Sequence, residues 1–450
     1  PISAVVVLLG ACGISLPLGA KALNIICVAL SAMGLAVCLL RMAPPHLALV
    51  IGAIFCTHTV FLLPHAMVWS EPLFMTFLLA MGVGFGSPRR SIMRAAGLGM
   101  LAGGLCLTRY AGAAFAAAGC AILLSDGIPL RQRLVNAGAF AGTAGLCVGL
   151  WWMRSRGMPG AADARHFVLH PPGLWHLRTL GEAIFEWVAP TDLGPFGLRA
   201  ISITAWIFLA VWLVRSAWRN RQVMKLSGAT PRADVRFWLW GGTSYITLLV
   251  FVMLFMAALT PMDERLLLPV FLCVAMAITP LIVRRVGGPG GFVLFCMLLL
   301  LIAVNGIAAG RLALRANTEG LEYSKYRRTP PPVFALLDEL PPGVRVLSNA
   351  PDLIYAITDR PAWEVPLRMN PFTELATPRN RMEEKLRVLR ASALKGEVCL
   401  FAVPGFAWRR YQLPEGTVVE ELGLKPALGS AAGRLYLPPS RPALTGDITR

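Results

Sequence analysis

Apolar runs about as long as a bilayer is thick recur from residue 25 to residue 309, separated by short, arginine-rich loops. In hydrocarbon every backbone N–H and C=O must find its partner inside the protein, so a run of ~20 apolar residues folds as a membrane-spanning helix. The runs fall at 25–41, 47–63, 72–86, 95–108, 111–125, 135–152, 200–214, 237–259, 266–283 and 291–309. Only "TRYAG" parts the fourth from the fifth, so their limits are the least sharply drawn. The pattern predicts an α-helical polytopic membrane protein with about ten transmembrane helices. Residues 2–18 are apolar as well, but Pro17 and the nearby glycines favour a juxtamembrane helix lying on the surface.

Acidic residues divide the chain. Residues 1–309 hold 9 Asp and Glu, while residues 310–450 hold 15. The chain is 56% hydrophobic with a mean hydropathy of +0.63, too apolar for an ordinary soluble domain, and only its last third has a soluble composition. That tail carries a strand-like "RVLSNA", an amphipathic helical pattern at 379–395, and strand-like "VCLFAV" and "RLYLP". It predicts a small α/β or α+β domain. The expected organisation is a juxtamembrane segment at 1–24, a transmembrane body at 25–309 and a separate domain at 310–450.

The net charge of +18 does not point to nucleic acid, because most basic residues of the apolar part sit in loops between spans. Loops at Arg41, 87–94, 131–133, 215–236 and 284–285 hold 14 basic residues against two acids, Asp126 and Asp234. The alternate loops hold 8 basic residues and 7 acids. The positive-inside rule puts the first set in the cytoplasm, and the tail from Gly310 then lies on the outer side. Nine of the ten cysteines lie in apolar runs as small hydrophobes, and Cys399 stands alone in the tail, so no disulfide framework is expected.

Three charged groups fall at outer helix ends. Glu71, in "AMVWSEPLF", follows an N-cap serine and precedes Pro72; it either supports a helix N-terminus through the helix dipole or poises an acid at a cavity. Asp263, Glu264 and Arg265, in "TPMDERLLLPVFL", form either an interfacial cap or a phosphate grip, with Arg265 on the phosphate and Asp263 orienting it. Arg109 and Tyr110, in "GLCLTRYAGAAF", are either an interfacial snorkelling pair or a second phosphate contact. The outer stretch 154–199 reads as an amphipathic lid with Trp175 and Trp187 at the interface. Its histidines, His166, His170 and His176, do not have the spacing of a compact metal motif. The chain has no phosphate loop of the GxxxxGK[ST] kind and no G-x-S-x-G or HExxH motif, and its glycine runs "GLGMLAGG" and "RRVGGPGGF" read as packing or turn signals.

In order and sidedness, "WSEPLFMTFLLA", "RAAGLGMLAGGLCLTRYAG" and "DERLLLPVFL" resemble bacterial integral-membrane glycosyltransferases of the GT-C fold. These are relatives of dolichyl-phosphate-mannose protein mannosyltransferases and lipid A aminoarabinose transferases. The tail stretch "RVLSNAPDLIYAITDRPAWEVP" is similar to the C-terminal domain of uncharacterised members, so the resemblance covers roughly residues 20–366. It implies a bacterial inner-membrane enzyme that moves a sugar from a polyprenyl-phosphate donor to a glycan, lipid or protein acceptor on the outer face. It also implies a catalytic acid in the first outer loop. Residues 1–24 look like the distal part of that loop and contain no acid, so the expectation is a chain whose beginning is missing. In such chemistry a carboxylate takes the acceptor's proton, and positive charge or a divalent metal ion stabilises the leaving phosphate. Glu71 and Asp263 are the acids that match, and Arg109, Tyr110 and Arg265 the candidates for substrate. The alternative is a carrier or flippase of lipid-linked sugars, or an inactive relative of the transferases, since charges at helix ends without an internal repeat favour the enzyme but do not define its chemistry.

Overall fold

The computed structural model describes residues 13, 16–67, 70–87, 91–155, 168–171, 173–194, 196–227, 233–256, 262–286, 291–321, 325–326, 330–370, 375–406 and 409–440. The chain divides into two compact units: a helical one ending at Ala313, and a second from Leu314 onward that also takes in residues 168–170 and 255–256.

The helical unit contains α1 (Leu16–Met42), α2 (Pro45–Thr57), α3 (Thr59–Ala66), α4 (Glu71–Phe85), α5 (Ile92–Thr108), α6 (Gly112–Leu124) and α7 (Leu130–Ser155). It continues with α8 (Leu174–Val188), a single 3₁₀ turn at Thr191–Leu193, α9 (Phe196–Ser227), α10 (Ala233–Phe255), α11 (Glu264–Val286) and α12 (Gly291–Thr318). Each expected span coincides with a helix, but they differ in reach. Among the described residues five are long and apolar enough to cross a membrane, namely α1, α7, α10, α11 and α12, or six if the bent pair α2–α3 is one span. The apolar helices α4, α5 and α6 have 15, 17 and 13 residues, about 20–25 Å at 1.5 Å per residue. The apolar runs in the sequence are equally short here, and Ser91, the "TRYAG" turn and Ser125 mark the helix ends within a few residues of their limits.

The run 47–63 is two helices, α2 and α3, bent by 55°. Thr57 turns its hydroxyl back onto the Ala53 carbonyl (2.7 Å), and His58 adopts an extended backbone. The His58 Nδ1 accepts the Val60 N–H (3.2 Å) and so caps α3. The fully buried His58 ring sits against Phe271 of α11, and its Nε2 lies 3.0 Å from the Trp187 carbonyl of α8. Packing fills the bend.

Close packing of α5 on α7 depends on glycine. Gly99 and Gly103 stand four residues apart on one face of α5. A Cβ at Gly99 would strike the Thr143 hydroxyl and the Phe140 carbonyl, and one at Gly103 would strike Cys147. Thr143 uses that approach to donate to the Ala96 carbonyl at 2.9 Å. Around this contact the core is aromatic, with Phe85 stacked on Phe237 at 4.9 Å and Phe140 edge-on to Phe85.

The second unit is a three-layer α/β sandwich. Its elements are α13 (Pro332–Glu339), β1 (Arg345–Ser348), α14 (Pro351–Thr358), β2 (Ala362–Glu364), α15 (Arg379–Leu394), β3 (Val398–Ala402), α16 (Glu415–Leu422), β4 (Lys425–Ser430) and β5 (Gly433–Leu437). The sheet order is β2-β1-β3-β5-β4, with β1 parallel to β2 and β3, and β5 antiparallel to β3 and β4. Alternation along the strands sends Val346, Cys399 and Phe401 toward α13 and α14, and Leu347, Val398 and Leu400 toward α15 and α16.

If α5 and α7 meet through glycine, Gly99→Ala lowers the stability of the purified protein by about 1–3 kcal/mol through overpacking. Gly97→Ala, at a position open to a methyl group, leaves it unchanged within about 0.5 kcal/mol. Thermal unfolding of the two variants in one detergent checks the contrast.

Candidate active site

Glu71 occupies the first turn of α4 with Pro72 beside it, where an acid meets the positive end of the helix dipole. The side chain is only 7% exposed, a placement that costs several kcal/mol for a lone carboxylate. Arg109 supplies the partner: its Nη1 lies 2.6 Å from Glu71 Oε1. Ser70 donates to the other oxygen at 3.4 Å.

The α5–α6 turn carries Arg109 to that position. The Arg109 N–H closes α5 on the Leu105 carbonyl (2.9 Å), and α6 starts at Gly112, where a Cβ would run into the backbone of Leu105 and Cys106. Only glycine permits so tight a return, and the turn holds the Arg109 backbone just where α6 begins. Tyr110, next in the chain, is 73% exposed and does not share the buried setting of its neighbour.

Asp263 caps α11. Its Oδ1 accepts the Leu266 N–H at 2.9 Å and its Oδ2 accepts from Arg265 Nε at 3.2 Å. Pro269 removes an intrahelical N–H in the following turn, and the fully buried Tyr245 of α10 donates its hydroxyl to the Leu266 carbonyl at 2.8 Å. Tyr245 lies within electrostatic reach of Arg109, Glu71 and Asp263 together. The two charged clusters found separately in the sequence therefore stand at the same end of the helical unit, where the Tyr245 hydroxyl is bonded to the start of α11.

Two further groups at this end lay outside the sequence reading. His65, in the last turn of α3, directs Nδ1 to the Phe61 carbonyl (2.7 Å), while its Nε2 is buried with no hydrogen-bond partner among the described residues. It lies within electrostatic reach of Glu71, and the Asn24 side chain fixes the local backbone through the carbonyls of His65 and Met67. With the Nδ1 hydrogen committed to Phe61, Nε2 is left as a hydrogen-bond acceptor. Glu186 of α8 accepts the Thr191 N–H at 2.9 Å. Burial pushes the Glu186 carboxyl up, the Thr191 contact opposes that, and the charges of Glu264 and Asp192 add to the rise.

The helix α8 is amphipathic, but Trp187 packs on the core, 5.1 Å from Phe271, because its side chain falls on the buried face. His166 lies outside the described residues, as does most of 2–18. His176 accepts the Gly173 N–H at 3.1 Å as part of a helix cap, and His170 belongs to the second unit. Among the described residues no three His, Cys, Asp or Glu side chains gather into a metal-binding group.

Helices of this length and composition, with a C-terminal α/β unit, define a multi-pass membrane protein of GT-C-like fold. The chain is similar to the solved crystal structure of ArnT from Cupriavidus metallidurans bound to undecaprenyl phosphate, with a TM-score of 0.53 and 11% sequence identity. The likeness covers 93% of this chain and 83% of that one. No family model matches the chain, and no curated protein matches it.

The buried pair makes a coupled prediction. Glu71→Gln strands a guanidinium and costs about 3–5 kcal/mol of stability. Removing Arg109 as well, in Glu71→Gln/Arg109→Leu, restores more than half of that loss, because no buried charge is then left unpaired. Melting temperatures of the single and double variants decide it, and an additive double loss would show that the two side chains act separately.

Proposed function

We propose that the protein is a glycosyltransferase that moves a sugar from a polyprenyl-phosphate-linked donor to an acceptor at the outer face of a bacterial cytoplasmic membrane. The observation that carries this reading is that Glu71–Arg109 and Asp263–Arg265 stand at the same end of the helical unit, in a fold shared with ArnT, whose crystal structure holds undecaprenyl phosphate. The family likeness extends, as part of the same proposal, to the dolichyl-phosphate-mannose-dependent enzymes, and the C-terminal unit is assigned to the outer side.

In the reaction, a hydroxyl of the acceptor attacks the anomeric carbon of the donor sugar as the bond to the lipid phosphate breaks. The leaving group is already an anion, so it needs positive charge rather than a proton. Arg265, 38% exposed on the first turn of α11, and Arg109 are the cations for that phosphate, with Tyr110 at its rim. Both oxygens of Glu71 and of Asp263 are engaged, so these acids act through the arginines: Glu71 positions Arg109, and Asp263 positions Arg265. Among the described residues, His65 Nε2, buried with no hydrogen-bond partner, is the acceptor assigned to the hydroxyl proton in this proposal.

A carrier of lipid-linked sugars would use the broken span α2–α3 as part of a passage. The filling of that bend by His58, Trp187 and Phe271 argues for a scaffold instead.

The test is a transfer assay in proteoliposomes given a radiolabelled polyprenyl-phosphate sugar and a membrane extract as acceptor source. The account expects label to move to an acceptor with release of polyprenyl phosphate, and Arg265→Gln to slow this by about 100-fold, as loss of one charge-stabilising donor does elsewhere. Movement of intact donor across the bilayer, with no sugar released from the lipid, would establish the carrier instead.

A further inference from the structure

A second charged site lies in the C-terminal unit, at the carboxyl ends of the parallel strands β1 and β3. The chain leaves β1 through Asn349 into α14, which packs on one face of the sheet. It leaves β3 through residues 403–406 toward α16, which packs on the other. Where neighbouring parallel strands send their connections to opposite faces, a crevice opens outside their carboxyl ends, and in open α/β sheets this is where ligands bind.

Here the crevice has a volume of about 450 Å³, and its charged lining is four arginines, Arg368, Arg409, Arg410 and Arg434, against one carboxylate, Glu415. Its floor is fixed. The Asn349 side chain donates to the Val403 carbonyl (2.7 Å) and accepts the Val403 N–H (2.8 Å), tying the two strand ends together. The arginines are oriented as well. Arg409 donates to the Asn349 carbonyl and to both oxygens of Asp352, each at 3.0 Å. Arg434 pairs with Glu415 at 2.6 Å. Arg368 spends its Nε on the Arg410 carbonyl (2.7 Å).

Four lining arginines, two of them paired with carboxylates, leave the crevice positively charged, and an anion is attracted there. Planar guanidinium forks match phosphate and carboxylate oxygens two at a time. The volume falls in the range of small-molecule pockets of about 300–1,000 Å³.

We propose that this crevice is a ligand site that binds the oxyanion group, phosphate or carboxylate, of a molecule about the size of a sugar phosphate. It involves none of the residues around Tyr245, so it stands independently of the transferase reading.

The experiment uses the full chain in nanodiscs of zwitterionic lipid and isothermal titration calorimetry. Glucose 1-phosphate probes a free sugar phosphate, dihexanoyl phosphatidylglycerol probes a lipid headgroup, and glucose is the uncharged control. The expected result is salt-sensitive binding of at least one anionic probe and none of glucose, weakened about tenfold or more in Arg368→Gln/Arg410→Gln. Both side chains are exposed, and an unchanged melting temperature and circular dichroism spectrum separate lost binding from lost fold. Should the double variant melt early, Arg410→Gln alone must still weaken the same probe. The tighter of the two anions identifies the source of the ligand. Binding of neither anion, or equal binding by wild type and variants, overturns the proposal.

Discussion

A carboxylate shut into an apolar helical unit is tolerable only with a partner, and the pairing of Glu71 with Arg109 is the constraint around which this end of the unit is arranged. The first turn of α4 and the last residue of α5 must arrive at the same place for the two groups to meet at 2.6 Å. The tight return at Gly112 holds the arginine there, and Tyr245 ties α10 to the capped start of α11. The arrangement puts fixed charge at helix ends, where dipoles and backbone donors support it, and keeps the interior largely apolar and aromatic.

Much of the fold was legible because a bilayer leaves little choice: every apolar run became a helix. Periodicity could not say how far each helix reaches, nor that 47–63 breaks at His58, since that break depends on a threonine hydroxyl and a histidine nitrogen competing for backbone. In the C-terminal unit the β-branched and aromatic strands β1, β3 and β5 could be read, and the charged helix α15 as well. By contrast β4, "KPALGS", hides its strand behind Pro and Gly at a sheet edge, and β2 is only three residues long. The eight-residue helices α13, α14 and α16 gain their order from packing on the sheet, which no local window reports.

Site legibility follows the same division. Glu71, Arg109, Asp263 and Arg265 stood out because charge is rare in the first 309 residues. Their partners did not, because 38 residues separate Glu71 from Arg109. Within "TVFLLPHA" and "SYITLL", His65 and Tyr245 looked like ordinary members of apolar runs. An unpaired ring nitrogen and a hydroxyl aimed at a helix-start carbonyl are tertiary facts. Tyr110 shows the converse: adjacency in sequence to Arg109 did not bring it into the buried cluster.

The account turns on whether the arginines at this helix-end cluster hold a lipid phosphate. Native mass spectrometry of the full chain, released from detergent with added undecaprenyl phosphate, measures that contact directly. The account predicts a bound lipid phosphate that survives on the wild type and is lost from Arg265→Gln, while an uncharged polyprenol of equal length is not retained. Equal retention of phosphate and alcohol, or equal retention by wild type and variant, would contradict it.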